Sequence, residues 1–189
     1  MLGALFGCVS FQTVMAGPFD IEKGMNIEAL KKVCKAAPKH LGEDFYEISP
    51  IKTSHLLSTY VVRIDPTYGV YLLRAATKEI ETNGYGDELR SYYQTLVESI
   101  AKSYGDYEET DFIKEDSWRK APENFMYALS RGERTLFAAW TTEHKSRLPD
   151  EIESIAVVIS AEYSSSGYVL LEYSFSNMPA VKEKADSVF

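Results

Sequence analysis

The sequence predicts an α+β fold in which an antiparallel sheet carries helices packed on one face. Runs rich in β-branched and aromatic residues are separated by short turns, which is typical of hairpins rather than of parallel strands. Other segments repeat apolar residues at intervals of three and four, which predicts amphipathic helices. Because no glycine-rich turn links a strand to a helix, a Rossmann or phosphate-loop fold is disfavoured.

The composition is that of an ordinary globular protein. Of the 189 residues, 45% are hydrophobic and 25% are charged, values close to the average for soluble domains. A chain of this length buries roughly 70% of the surface that it exposes when unfolded, so its core needs no disulfide support. The net charge of −8 argues against a nucleic-acid partner, because phosphate contacts need a basic surface.

Residues 1–16 are predicted to be a signal peptide. No charged residue precedes Asp20, and residues 2–15 form an apolar run of signal-peptide length. Val14 and Ala16 fit the small or β-branched positions of a cleavage site before Gly17. We therefore expect cleavage after Ala16 and a secreted or periplasmic location for the remaining chain.

Two other functions of this opening segment stay open. An uncleaved membrane anchor is one alternative, although the run is short for a spanning helix and contains Gln12 and Thr13. Lipidation of Cys8 is the other, because the residues before it resemble a lipobox. A signal normally carries Lys or Arg before its apolar part, so a start codon upstream of Met1 is also open. With cleavage, no stable membrane span is expected.

Cleavage would leave Cys34 as the one remaining cysteine, which excludes an intramolecular disulfide. Cys34 follows Leu30 by one helical turn and adjoins Val33 on the apolar side of a predicted helix. We expect its thiol to be buried, because unpaired cysteine behaves as a small apolar residue. A reactive thiol is the alternative.

The first half of the mature chain predicts a helix followed by strands. Asn26 is a suitable N-cap for the helix, and Pro38 is expected to end it. Residues 45–48 predict a short strand. Residues 56–65 and 70–80 predict a hairpin, because a short turn rich in Pro and Gly separates them.

The strongest periodicity in the sequence lies in the middle of the chain. A helix is predicted to begin at Asp87 and to end at Gly105. Its apolar positions are Leu89, Tyr93, Leu96, Ile100 and Tyr104. Because they form one stripe, this helix should cover an apolar surface, and the preceding hairpin is the expected partner.

The second half predicts an acidic, irregular segment at residues 106–120 and then a shorter helix opened by Pro122. Phe125, Met126 and Leu129 are expected to face inward from this helix. Three strands should follow, at residues 135–142, 152–163 and 168–175, and a closing helix near Asn177.

Residues 164–167 predict a four-residue hairpin loop between the last two strands. We interpret residues 17–189 as a single α+β domain. An alternative organisation has two similar helix–strands–helix halves, at residues 17–105 and 121–189.

The sequence offers no recognisable catalytic or metal motif, so none is assigned to it, and no cofactor is expected. His40, His55 and His144 lack the spacing of a zinc site, and the Gly-x-Ser-x-Gly turn of serine hydrolases is absent. The carboxylates of residues 108–116 lack the ordered spacing of a calcium loop. A site assembled from residues of distant segments would show no characteristic spacing in the sequence, so such a site is still an open alternative.

Tyrosine is prominent, with 13 Tyr against 2 Trp. A tyrosine side chain combines apolar area with a polar tip, which suits contact surfaces. Packing at the margin of a sheet explains such residues equally well. The candidate binding surface consists of Tyr60, Tyr68, Tyr71, Tyr85 and Trp140.

The stretch from Phe19 to Leu30 resembles the opening of small secreted and periplasmic bacterial proteins, whose pattern is F-G-[LI]-x-x-G-M-[ST]-x-x-E-[LV]. Gly24, Met25 and Leu30 match the pattern, whereas Asp20 replaces its Gly and Asn26 replaces its Ser or Thr. The resemblance implies an extracytoplasmic protein and lends no catalytic residue.

Three functions are compatible with the sequence. The leading hypothesis is a non-catalytic secreted or periplasmic protein that binds a protein or a cell-envelope component. One alternative is a hydrolase or metal-dependent enzyme whose site is assembled from scattered residues. The other is an inhibitor of a secreted enzyme.

Overall fold

A nine-stranded antiparallel sheet forms the centre of the protein in the computed structural model, which describes residues 17–178 and 180–182. The strands run in the order β1-β2-β3-β4-β9-β8-β7-β6, and β5 pairs with part of β9. Their bounds are β1 Lys39–Gly42, β2 Phe45–Ile48, β3 Thr59–Asp65, β4 Gly69–Ala76, β5 Ile80–Glu81, β6 Glu108–Ile113, β7 Arg134–Thr141, β8 Ile152–Tyr163 and β9 Ser166–Phe175. The predicted α+β class is confirmed.

In the described part of the chain, three α-helices share a core with this sheet, and they are α1 (Ile27–Val33), α2 (Asp87–Tyr104) and α3 (Phe125–Ser130). Their buried residues share one core with alternate residues of the central strands. None of the helices in the described part of the chain combines the length and the apolar character that a bilayer crossing requires. The predicted signal peptide, residues 1–16, lies outside the described residues.

The sheet consists of two four-stranded meanders that meet at its centre. Strands β1–β4 form one meander and β6–β9 form the other, and they are joined where Leu72–Ala76 pairs with Leu170–Ser174. Helix α1 precedes the first meander and α2 precedes the second. Helix α2 therefore precedes the second meander, whereas the alternative organisation in two halves assigns it to the end of the first half.

Helix α1 begins as predicted, with the Asn26 side chain accepting a hydrogen bond from the Ala29 amide at 2.9 Å. It ends at Val33, five residues before Pro38, because Cys34 adopts extended backbone and bridges to Pro50. The predicted burial of Cys34 is confirmed, with 7% of the residue exposed. Burial also raises the pKa of its thiol, since the thiolate would lose hydration.

Helix α2 confirms the strongest periodicity of the sequence. Leu89, Tyr93, Leu96 and Ile100 are all buried in the core that the helix shares with β8 and β9. Gly105 ends the helix at a φ of 79°, a conformation that suits glycine, and its amide donates to the Ala101 carbonyl. The predicted inward residues of α3 are buried as well.

The prediction of an irregular segment at residues 106–120 was wrong, because Glu108–Ile113 forms strand β6. This strand pairs with β7 at six register positions. Its acidic side chains have partners elsewhere in the fold, including Tyr93 and Arg134. These partners come from distant parts of the chain, so the strand could not be predicted from the β-propensity of residues 108–113 alone.

The other corrections concern short elements. Strand β1 and the two-residue β5 were not predicted. The loop between β8 and β9 has two residues, Ser164 and Ser165, instead of the predicted four, because Ser166 and Gly167 already pair in the ladder. A register shift between Ala161 and Tyr163 accommodates this tighter turn.

Candidate binding surface

The two faces of the sheet have different surroundings. Strand β3 illustrates the alternation: Tyr60 and Val62 point into the core under the helices, whereas Val61 and Arg63 point the other way and are half-buried. The same alternation runs through β7, β8 and β9. We call the side opposite α1, α2 and α3 the uncovered face.

An apolar strip crosses the middle of the uncovered face. In register, Phe137 pairs with Val158, Val158 with Leu170, and Leu170 with Ala76. We call these four residues the central strip. All four are half-buried. An antiparallel sheet face that meets only water usually carries polar residues, so the apolar central strip is unusual for such a face.

A groove begins at one end of this strip. Its volume is about 600 Å³. The β1–β2 hairpin forms one wall, and β3, β4 and β9 form the floor. The residues that line it are mainly aliphatic or aromatic and include Leu41, Phe45, Val61, Ala76 and Leu170.

A second groove of about 480 Å³ adjoins the first. Arg74 lines both grooves and forms an ion pair with Glu172 on the neighbouring strand, at 2.5 Å. Met178 and Lys182, in the helical turn that follows β9, line the far side of the second groove. The Arg74–Glu172 ion pair therefore lies at the boundary between the two grooves.

Asp44 holds the wall of the first groove in place. Its carboxylate accepts from Nε of Arg63, at 3.0 and 3.1 Å to the two oxygens, and from the hydroxyl of Tyr71. The guanidinium of Arg63 also lies 4.6 Å from the centre of the Phe45 ring. These contacts fasten the β1–β2 hairpin to β3 and β4, so the groove is formed before any partner binds.

The sequence-predicted surface residues do not come together. Tyr60, Tyr71 and Trp140 are buried, with 4%, 4% and 0% of each residue exposed. Tyr68 and Tyr85 are exposed but lie in different turns, before β4 and before α2. The reason is the strand alternation, which places Tyr60 and Trp140 among the core residues.

Sequence reasoning missed the residues of the central strip, although a signal for them was present. Strand β4 is a nearly continuous apolar run, and residues 155–159 of β8 form another. A run without alternation predicts a strand that is covered on both faces. The structure covers one face with helices and leaves the other face apolar, which is the feature that this run encoded.

The histidines do not line these grooves. His40 is in β1 and its ring is 4.8 Å from that of Tyr46, while His55 lies in the loop before β3. His144 lies 3.0 Å from the Thr141 hydroxyl and 2.5 Å from a Glu108 carboxylate oxygen. Neither groove of the uncovered face includes His144. In the described ranges, no group of three His, Cys, Asp or Glu side chains is placed to hold a metal ion.

Comparison of the chain with known protein families, with characterised proteins and with solved structures finds no match.

Alkaline pH should unfold the protein through its buried tyrosines. Burial raises the pKa of five phenols above the ordinary value of about 10, because each phenolate would lose hydration. They are Tyr60, Tyr71, Tyr93, Tyr104 and Tyr173. The unfolded chain ionises these groups at lower pH than the folded protein does. The free energy of unfolding should therefore be unaffected by them below about pH 10 and should fall as the pH rises above it.

The measurement is the phenolate absorbance, followed together with circular dichroism during an alkaline titration. These five groups should ionise only as the folded signal is lost. Protein unfolded in urea is the control, and there all tyrosines should titrate in one step. Complete ionisation with the fold intact would contradict the prediction.

Proposed function

We propose that this protein binds another protein on the uncovered face of its sheet, without catalysis, in a secreted or periplasmic compartment. The observation that carries the proposal is the central strip of Phe137, Val158, Leu170 and Ala76, which continues into an aliphatic groove on a face that the three helices do not cover. The partner is a folded protein that presents aliphatic or aromatic side chains to this strip.

The size of the face favours a protein partner. Eight strands about 4.8 Å apart, with on average about seven residues per strand at about 3.3 Å each, give a face of about 34 by 23 Å, or about 800 Å². A typical protein–protein interface buries about 800 Å² on each partner. A small ligand would use a small part of this area, and such ligands are usually held in more enclosed cavities.

The chemistry of the face also suits a protein. Protein interfaces have an apolar centre and a polar rim. Here the central strip is apolar, and ion pairs such as Arg74–Glu172 and Arg63–Asp44 flank it. Because these charges are already paired within the protein, a partner need not supply counter-charges at the centre of the contact. The extracytoplasmic location rests on the predicted signal peptide of residues 1–16.

Site-specific photo-crosslinking in the cell of origin tests the proposal. A benzoylphenylalanine residue is introduced at Val61 or at Val158, both on the uncovered face, and at Tyr92 as the control. Tyr92 is 43% exposed on α2, on the opposite side of the protein. We expect a protein adduct at both face positions, absent at Tyr92, in the extracytoplasmic fraction.

Mass spectrometry then identifies the crosslinked partner. If the partner is a secreted hydrolase, the function of this protein is specified further as inhibition of that enzyme. Adducts with lipid alone, equal adducts at Tyr92, or no adduct at either face position would contradict a protein-binding face. Recovery of the whole adduct from the cytosol would contradict the location.

A further inference from the structure

Strand β6 forms one end of the sheet in the described part of the chain, so the outer side of its backbone is open to a further strand. Six of its residues pair with β7 without a register shift. The strand contains neither proline nor lysine, and Phe112 in it is 52% exposed. A regular edge of this length is normally protected, because its free amides and carbonyls attract other strands.

The opposite end of the sheet has the protection that β6 lacks. Strand β1 is only four residues long and begins with Lys39. Its register with β2 shifts between His40 and Gly42, and Gly42 adopts a φ of 125°. A short strand, a lysine and a bulge are the usual means of blocking edge pairing. The two ends of one sheet therefore differ, and the longer and more regular end is the open one.

The charges on β6 select the kind of strand that fits. Glu108, Glu109 and Asp111 give the strand three carboxylates. Asp111 pairs with Arg134 and Glu109 accepts from Tyr93, but the side chain of Glu108 stays 56% exposed beside His144. A second copy of β6 would place carboxylates opposite carboxylates, which is destabilising. An incoming strand with Lys or Arg would instead make favourable cross-strand pairs.

We propose that β6 receives an extended basic segment of a partner protein as an additional antiparallel strand. Backbone hydrogen bonds to the outer edge of residues 108–113 provide the attachment, as in other cases of strand addition. A Lys or Arg side chain opposite Glu109 provides the charge selection, because the Tyr93 hydroxyl that donates to this carboxylate is neutral and leaves its charge uncompensated. An apolar residue of the segment packs on Phe112. The register of β6 with β7 puts the Phe112 side chain on the uncovered face, at its margin, whereas the attachment site is the outer backbone edge of β6. The proposal does not depend on the function proposed above.

The test uses the full chain and a synthetic peptide, Lys-Val-Lys-Phe-Lys-Val-Lys, whose binding is measured by fluorescence anisotropy. Two matched peptides serve as controls. One carries N-methyl groups on alternate backbone amides, so it keeps the charge but loses the strand donors. The other has Glu in place of every Lys. We expect each change to weaken binding at least tenfold.

Amide hydrogen exchange locates the bound peptide. The unmodified peptide should slow exchange in residues 108–113 and leave β1 unaffected. An L170D variant, altered on the uncovered face, should bind the peptide with unchanged affinity, which separates this test from that of the proposed function. The proposal is overturned if the peptide does not bind, if the N-methylated peptide binds equally well, or if the protected amides lie outside β6.

Discussion

Replacing Leu170 with aspartate should lower the affinity for the partner captured on the uncovered face at least tenfold, while the protein stays folded. Leu170 lies in the middle of the central strip, between Val158 and Ala76, and lines the larger groove. In the complex an aspartate there would lie desolvated, and the nearby Arg74 is already paired with Glu172. It would also share a face with Glu172, two residues along the strand. An unpaired buried charge costs about 3–5 kcal/mol, which exceeds the 1.4 kcal/mol that a tenfold change represents.

The fold should tolerate the same change, because Leu170 is only half-buried in the free protein. We expect the free energy of unfolding to fall by about 1–2 kcal/mol. The measurements are surface plasmon resonance with the captured partner and urea unfolding followed by circular dichroism. Tyr92→Asp is the matched control, since it adds the same charge on the outer side of α2. Equal affinities for L170D and the unaltered protein would exclude the central strip from the interface.

Replacing Trp140 with alanine should destabilise the protein by about 3–5 kcal/mol, the range typical of large-to-small changes in a core. The Trp140 side chain is completely buried, and its ring centre lies 5.0 Å from that of Tyr107. Its indole nitrogen donates to the Gly105 carbonyl at 3.0 Å. Alanine would leave a cavity and remove the donor that satisfies this carbonyl at the end of α2.

Trp118, the second tryptophan of the chain, provides the control. It is 74% exposed, and its ring lies 4.3 Å from the guanidinium of Arg119. Trp118→Ala should therefore cost less than about 1 kcal/mol. Urea unfolding of both variants, followed by circular dichroism, measures the difference. If both variants lost similar free energies of unfolding, the assignment of Trp140 to the core and of Trp118 to the surface would be wrong.

Much of the fold followed from local patterns in the sequence. The spacing of apolar residues located α2, because one face of a long helix must be apolar to pack on a sheet. The apolar runs located β3, β4, β8 and β9, and the turn residues between them predicted the hairpins. Asn26 marked the start of α1, since its side chain caps the free amides there.

Elements that depend on distant partners could not be predicted in the same way. The acidic residues of β6 have low intrinsic strand preference, and the strand exists because β7 pairs with it and Arg134 binds Asp111. The end of α1 was misplaced for the same reason. Cys34 leaves the helix to bridge Pro50, and the sequence around Cys34 carries no sign of that contact.

The binding surface shows the same division. Tyrosine content directed attention to Tyr60 and Trp140, but both side chains face the core. In the sequence, the apolar residues of the uncovered face in β4 and β8 could not be distinguished from residues of the core. Whether such a residue meets a helix or remains accessible depends on which face receives the helices, and composition does not determine that.

The sequence by itself determined the α+β class, the hairpin strands, the long helix and the burial of Cys34, because each depends on residues close together along the chain or on their average character. Tertiary structure alone decided the pairing of β4 with β9, the strand status of β6 and the face left uncovered. These features depend on contacts between residues as far apart as Arg74 and Glu172. The free energy of such contacts is set by packing and by satisfied polar groups, which no local pattern records.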